Sequence, residues 1–337
     1  MDISMYDQST FLILKAAYAY YIDGKAQSEI AQDLGISVTT VSRLLKKAKD
    51  DHIIEFVIRD SYIECLRLGK ELKEQFNLKD VIIAPTGNLS DVQTPGEKSY
   101  AQRMVALEAA RYIQRIIKKD DVLGVTWGST VYEMINYLNP AQKIDATFVT
   151  LHGSLASCID EWDVRTLVMR LAKAFSGKNY MLLSGALMSS EKLASLQKQE
   201  RDMAYIYNLY KRVNIAINGI GSFYPELDSI LALPTFLPEE NLQELLDEGV
   251  VGDIALRFFN KNGKECNTSL KNRTISIEFN QFKKIPLKIT LASGIQKAHT
   301  VFYALKGHLI DVLIVDEMLA KKILEIGEEM QKDKPGQ

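Results

Sequence analysis

Cysteine is scarce in this chain of 337 residues: Cys65, Cys158 and Cys266 are odd in number and far apart. They form neither a disulfide framework nor a metal-ligand spacing, so a reducing cytoplasm is the expected setting. The sequence has no GxSxG, no HExxH and no paired cysteine motif, and His52, His299 and His308 show no partner spacing. No catalytic residue, metal or cofactor is therefore expected. Long apolar runs are missing too. Residues 11–22 are apolar but too short to span a bilayer, and no basic stretch precedes them as a signal peptide requires, which predicts a soluble protein without a membrane partner. The formal net charge is only −2, which argues against a nonspecific nucleic-acid binder and leaves room for a small local footprint. No internal repeat is present, and only the tail, residues 331–337, has a plainly disordered composition.

Against these absences one stretch stands out, residues 27–46, QSEIAQDLGISVTTVSRLLK. Ile30, Leu34, Ile36, Val41 and Leu44 fall at the apolar positions of a two-helix unit, with the small Ala31 where two helices must touch. Gly35 can take the left-handed conformation that closes the first helix, and Ser37 supplies an N-cap hydroxyl for a second helix over residues 38–49. This is the spacing of a helix-turn-helix. With Val41, Leu44, Leu45 and Ala48 inward, Thr39, Thr40, Ser42, Arg43, Lys46 and Lys47 face outward. Short hydroxyls allow close approach to a DNA groove, and Arg43 can give a bidentate hydrogen bond to a guanine edge. Residues 37–49 hold four basic residues and no acidic one, whereas residues 1–60 hold seven basic and nine acidic. The positive charge is thus a stripe. Gln27, Ser37, Thr39, Thr40, Ser42, Arg43, Lys46 and Lys47 are the candidate DNA contacts, although any three-helix domain with a solvated polar face shares the pattern.

Residues 6–21 carry Phe11, Leu14, Ala17, Tyr18 and Tyr21 at helical spacing, predicting a supporting first helix. The β-rich residues 53–58 after the recognition helix predict a wing, and residues 61–77 a linker helix with Ile63, Leu66, Leu72 and Phe76 that could hold two subunits together. From residue 81 on, short apolar runs at 81–84, 122–125, 148–151, 181–183, 215–217, 287–291 and 312–315 alternate with amphipathic helices at 101–117, 131–138, 163–175, 191–212, 239–248, 297–306 and 317–330. Buried β-runs separated by helices mean a mainly parallel sheet covered on both faces. Residues 254–259 and 274–279, around Lys261-Asn262-Gly263, look like an antiparallel hairpin. The resulting organisation is a winged helix-turn-helix at 1–60, a linker helix at 61–80, an α/β domain at 81–330 and the tail.

Ligands of open α/β sheets gather beyond the carboxyl ends of the strands. In Gly124-Val125-Thr126-Trp127-Gly128-Ser129-Thr130, Gly128 permits close backbone approach to an anion and Ser129 and Thr130 offer hydroxyls at a helix start. An ordinary capped helix reads the same. Lys297 follows Ala292-Ser293-Gly294 and opens a helix, where it opposes the dipole and suggests a nearby anion; a solvated lysine fits equally. Asp253, beside Gly252, suits sugar hydroxyls. Gly221 lies in Asn218-Gly219-Ile220-Gly221-Ser222, which lacks the third glycine of a dinucleotide fingerprint but allows backbone approach. His152 follows a strand and could line the same crevice, although a lone histidine is more often structural. Asp316 fits an N-cap better than a ligand.

The segments AQSEIAQDLGISVTTVSRLLKKAKDDHIIEF, GVTWGST, VVGDIALRFFNKNG, ASGIQK and DVLIVDE, in that order over nearly the whole chain, resemble the SorC-type transcriptional regulators. The resemblance implies a winged helix-turn-helix joined to a Rossmann-like sugar-phosphate-binding domain akin to phosphosugar isomerases and deaminases. It further implies a homodimer or homotetramer on double-stranded operator DNA and a phosphorylated sugar as effector. On this resemblance Gly128, Ser129 and Thr130 match the phosphate loop, Asp253 the acidic contact to ligand hydroxyls, and Lys297 the lysine that closes on the ligand. The chain departs from the family at Ser293-Gly294, Val315 and Gly153-Ser154. His152 stands where a lysine could form a Schiff base, so covalent capture there is not available. The expected function is a DNA-binding regulator of a carbohydrate-related pathway. The alternative is a sugar-phosphate isomerase or deaminase with a helical assembly domain, for which His152 with Asp253 is the one thin acid–base candidate.

Overall fold

Three helices, α1 (Gln8–Tyr21), α2 (Gln27–Leu34) and α3 (Val38–Asp50), form the first of two units, Met1–Asp60 and Ser61–Gln337. The computed structural model describes residues 8–51, 53–54, 60–86, 99–155 and 158–332. Gly35 closes α2 at φ 65°, a backbone conformation that costs a residue with a Cβ but not glycine. Ser37 Oγ then accepts the Thr40 N–H at 3.1 Å and caps α3. Ile30, Ala31, Val41 and Leu45 bury together with Ala16 of α1, while Leu44 is only half-buried.

The buried face of the first helix is rotated from the one its spacing suggested and shares Ala17 and Tyr21 with it. Ile13, Ala16 and Ala17 are buried, whereas Phe11 and Tyr18 are 51% and 61% exposed. α1 is apolar nearly all round, so two helical stripes compete, and the stripe carrying two alanines permits closer approach to α3 at Ala48. The expected wing lies mostly outside the described residues. Ile53 and Ile54 only turn off the end of α3, both donating to the Ala48 carbonyl.

The helix α4 (Asp60–Phe76) leads into the second unit, burying Cys65, Leu68 and Leu72 while Ile63 and Leu66 stay exposed. In chain order there follow β1 (Asp80–Ala84), α5 (Tyr100–Ile116), β2 (Val122–Val125), α6 (Ser129–Asn136), β3 (Thr147–Thr150), α7 (Val164–Phe175), β4 (Lys178–Tyr180), α8 (Glu191–Gln199) and α9 (Arg201–Leu209). The chain continues through β5 (Ile215–Asn218), β6 (Gly221–Ser222), α10 (Glu239–Asp247), β7 (Val250–Ile254), β8 (Arg257–Asn260), α11 (Ser269–Arg273) and α12 (Phe279–Lys283). It ends with β9 (Leu287–Ala292), α13 (Ala298–Lys306), β10 (Val312–Asp316) and α14 (Glu317–Lys332). The last helix thus reaches into the segment whose composition looked disordered.

Seven strands form one parallel sheet in the order β1-β10-β9-β5-β2-β3-β4. Successive residues supply opposite faces: Ile215 and Ile217 join one apolar layer and Ala216 the other, as do Val312 and Ile314 against Leu313 and Val315. Both faces are covered, which is why the strands read as continuous apolar runs.

Three details differ from the spacing. The last strand of the sheet lies at residues 178–180 and not 181–183, because an edge strand is defined by its pairing with β3 and not by apolar content. The long helix expected over 191–212 breaks at Glu200, which is extended at φ −56° and ψ 142°. The antiparallel hairpin is β7 with β8, turning at Ala255 and Leu256, and residues 274–276 instead bridge to Leu187 and His152. Lys261-Asn262-Gly263 is a tight turn just beyond β8, closed by Gly263 N–H on the Asn260 carbonyl.

Replacing Gly35 by alanine keeps the α2–α3 turn but forces a Cβ into the left-handed region. The full chain should lose about 1 kcal/mol, read as a lower melting temperature of the first unit.

Candidate functional site

Strands β2 and β5 are neighbours, yet the chain leaves β2 toward β3 on one side and leaves β5 toward β9 on the other. Such a fork opens a crevice beyond the carboxyl ends of the two strands. The crevice is a narrow cleft of about 70 Å³ whose walls include Gly128, Ser129, Thr130, Gly221, Asp253 and Lys297. Six candidate residues that lie as far apart as 128 and 297 in the chain therefore meet in one place.

The loop before α6 offers donors to the lining. Gly128, at φ 138°, precedes α6 without a side-chain cap, so the first N–H groups of that helix have no intrahelical acceptor. The hydroxyls of Ser129 and Thr130 stand on the same turn. A negative group placed there meets N–H groups, hydroxyls and the positive end of the helix dipole.

Asp253 adds an acceptor to the lining. Asp253 lies on β7, paired with Gly221 of β6, and is 5% exposed. A Cβ at Gly221 would fall 2.1 Å from Asp253 Oδ1, so only glycine lets the two strands close over this carboxylate. Ser229 Oγ donates to Asp253 Oδ1 at 3.3 Å. Burial is the main influence on Asp253 and pushes its pKa up to about 6, against the hydrogen bond from Ser229 and the charge of Lys297. Lys297 completes the wall: its Nζ donates to the Ile220 carbonyl at 3.1 Å and lies 3.7 Å from Asp228 Oδ2. It is the last residue of a short 3-10 turn, and α13 begins one residue later than the spacing suggested.

His152, expected in the same lining, is not part of it. Beyond β3 the chain bridges to Ser276, and Gly153 N–H donates to the Ile275 carbonyl, which tucks the imidazole behind the loop. Nε2 accepts the Trp127 N–H at 2.9 Å, and Nδ1 lies 2.7 Å from the Gly153 carbonyl. Burial pushes the ring pKa down to about 4, so it is neutral and holds the Trp127 peptide in place. With both nitrogens engaged, His152 cannot act as the base of the alternative enzymatic reading. Asp316 caps α14 through the Leu319 N–H at 2.9 Å and accepts the Gly294 N–H at 2.8 Å, so it shapes the neighbouring loop.

Asp228, Ser229 and Trp127 also line the cleft. Asp228 and Ser229 sit in an irregular segment without a motif, and Trp127 was visible only as part of its loop. Gln102 of α5 reaches the Ser129 and Thr130 hydroxyls and had no signal in the sequence at all. Among the described residues no group of three His, Cys, Asp or Glu side chains could hold a metal ion. Nor is any helix among them long and apolar enough to cross a membrane.

On α3 of the first unit, Thr39, Ser42, Arg43, Lys46 and Lys47 are exposed. Thr40 and Gln27 are half-buried, and Ser37 is spent on the cap, its Oγ 2.8 Å from Thr40 Oγ1. Lys49 Nζ lies over the Tyr21 ring at 5.9 Å.

A helix-turn-helix unit followed by a parallel α/β unit with a cleft beyond its strand ends matches the organisation expected of a transcriptional regulator. A family model of a sugar-binding domain, Sugar-bind, matches residues 60–325. The deoxyribonucleoside regulator of Bacillus subtilis (strain 168) is 28% identical over 316 residues, covering 93% of this chain and 97% of that protein. The sorbitol operon regulator of Klebsiella pneumoniae is 27% identical over 316 residues, covering 93% and 98%. The crystal structure of that full-length regulator, SorC, superposes with a TM-score of 0.72 at 26% identity over 95% of this chain and 100% of that one. The chain belongs to the Sugar-bind family and is a SorC-type transcriptional regulator. These relatives are regulators and not enzymes, which favours the regulatory reading over the isomerase or deaminase alternative.

The raised pKa of Asp253 has a measurable consequence. Between the ordinary value of 3.8 and about 6 the folded chain keeps a proton that the unfolded chain has released. That contribution to stability is complete below the ordinary value and is lost as pH rises through about 6. Relative to Asp253→Asn, the unmodified chain should therefore lose about 1–3 kcal/mol of unfolding free energy from acid to neutral pH. A difference between the two proteins that does not change with pH would refute the assignment.

Proposed function

We propose that this protein binds duplex operator DNA through α3 as a homodimer or homotetramer in the cytoplasm, and that a phosphorylated sugar in the cleft controls that binding. The carrying observation is the mixed polarity of the cleft lining: the hydroxyls and helix N-terminus at Ser129 and Thr130 and the ammonium of Lys297 together with the carboxylates of Asp228 and Asp253. A sugar phosphate has the complementary pattern, an anion at one end and hydroxyl donors along the rest. Ser129, Thr130 and Gly128 would hold the phosphate, Asp253 the hydroxyls, and Lys297 would close on the ligand. Exposed Tyr62, Ile63 and Leu66 on α4 support subunit contact. Relatives named as a deoxyribonucleoside regulator and a sorbitol operon regulator support an effector among sugars and nucleosides.

The cleft also supports control and not mere binding. At about 70 Å³ it is well below the volume of ordinary ligand sites, roughly 300–1,000 Å³. A sugar phosphate therefore needs a wider arrangement of the cleft, and release of Lys297 from the Ile220 carbonyl is one change that would widen it. A ligand that requires the open arrangement binds two states unequally, and that inequality is what coupling needs.

A thermal-shift screen with phosphorylated sugars, their unphosphorylated forms and nucleosides tests the reading. A ligand at a hundred times its Kd should stabilise the chain by about 2.7 kcal/mol. Stabilisation by the unphosphorylated forms alone would overturn the phosphate assignment, and consumption of a ligand would favour the enzyme. Lys297→Ala should abolish the response of operator binding to that ligand while leaving operator affinity itself within a few-fold. Arg43→Ala should weaken binding to the specific site by about 1–3 kcal/mol and relax base preference, measured by fluorescence anisotropy on matched and scrambled duplexes. An equal loss on every duplex would make Arg43 a phosphate contact instead.

A further inference from the structure

The hydroxyls of Ser129 and Thr130 have a partner outside the cleft lining. Gln102, in the first turn of α5, is half-buried and does not line the cleft. Its Nε2 donates to Ser129 Oγ at 2.8 Å and to Thr130 Oγ1 at 3.3 Å. The residue itself is held firmly: its N–H donates at 3.0 Å to Ser99 Oγ, the N-cap of α5, and α5 packs along α6. One amide group thus reaches both hydroxyls from a residue outside the cleft lining.

The direction of these bonds decides what the hydroxyls can do. Each hydroxyl has one proton to donate and two lone pairs that accept. The Gln102 amide nitrogen offers only donors, so it occupies lone pairs and leaves both hydroxyl protons free. Those protons join the free N–H groups at the start of α6, and the array that faces the cleft consists of donors. A carbonyl or carboxylate at the same position would take the protons and turn lone pairs toward the ligand.

We infer that Gln102 is a positioning residue that sets the hydrogen-bond polarity of Ser129 and Thr130, so that this part of the cleft selects a fully ionised tetrahedral dianion over a neutral hydroxyl or amide. The inference rests on the proposal that these two hydroxyls hold the effector's phosphate. The three terminal oxygens of a phosphomonoester dianion, like the three unprotonated oxygens of the inorganic hydrogen phosphate dianion, accept and donate nothing, which matches an array of donors. A neutral hydroxyl must also donate, and finds there only the one lone pair that each hydroxyl keeps beside its bond from Gln102.

Isothermal titration of inorganic phosphate into the full chain, in slightly alkaline buffer, tests this. Gln102→Met keeps the length of the side chain and removes the donors, and its Kd for phosphate should rise about tenfold, the loss of one hydrogen bond within a charged site. Gln102→Glu reverses the polarity and should raise Kd by about a hundredfold or more. The decisive comparison is a cycle with Ser129→Ala/Thr130→Val. Without the hydroxyls, Gln102→Met should change Kd less than about twofold, because its effect passes through them. A tenfold effect persisting in that background would make Gln102 a support of the fold and overturn the inference. If Gln102→Glu does not fold, Gln102→Met and the cycle still decide. Unchanged phosphate binding in Gln102→Met would overturn this inference and leave the anion site standing. Absence of phosphate binding by the unmodified chain would overturn the anion site and this inference together.

Discussion

The adjacency of β2 and β5, with their connections departing to opposite sides, is the constraint on which the second unit depends. Parallel strands carry all their carboxyl ends to one edge, and Val125 of β2 lies level with Ile217 of β5 and Thr150 of β3. Loops leaving a fork cannot cover one another, so the gap between them stays open. Everything that lines the cleft is placed by this edge or by the small antiparallel sheet that folds over it. β6 follows β5 after two residues and pairs with β7, which brings Asp253 back beside Gly221. The ligand space is thus a product of strand order, and its contents are a product of which residues happen to follow each strand.

Those contents are electrostatically uneven, and the unevenness is stored in partners behind the lining. Asp253 is half-compensated: Ser229 and Lys297 favour its charge while burial opposes it, and burial has the larger effect. The Asn218 amide donates to the Gly219 carbonyl and to Thr290 Oγ1, each at 3.0 Å, which fixes the turn from β5 and ties it to β9. A preorganised site of this kind needs little rearrangement of its dipoles when a charged ligand arrives. The ammonium of Lys297 is held by the chain's own Ile220 carbonyl and Asp228 carboxylate, contacts that an incoming anion would have to compete with.

Much of this was legible in the residues. Gly35 and Ser37 have local requirements, a positive φ and a cap, that only a few residue types meet, and the structure shows both. Central parallel strands read correctly because burial on two faces leaves an unbroken apolar run. The failures share a cause, which is that packing chose between patterns the sequence left equal. On α1 two apolar faces competed, and small residues won. At β7–β8 the turn falls on Ala255 and Leu256, both at positive φ, where neither residue advertises a turn. Leu256 is 1% exposed, so its burial under the small sheet holds a conformation its side chain disfavours. Glutamine at position 102 was invisible for another reason: a helix-surface glutamine carries no motif, and its meaning comes only from α5 lying beside α6.

His152 shows how a site can be specified by what is removed from it. At the end of β3 a lysine would have an amine available for a carbonyl ligand. The imidazole that stands here is buried, neutral and bonded at both nitrogens, so it offers neither a nucleophile nor a charge. Accepting the Trp127 N–H is its one directional task, and Trp127 opens the loop that ends in Gly128 and Ser129. The indole packs edge-on against Phe236 with centroids 5.4 Å apart, which anchors that loop to the core under the small sheet. On the proposed function, a ligand between this loop and Lys297 would gain no covalent bond from the residue at the end of β3, and His152 would serve it only by holding the Trp127 peptide in place.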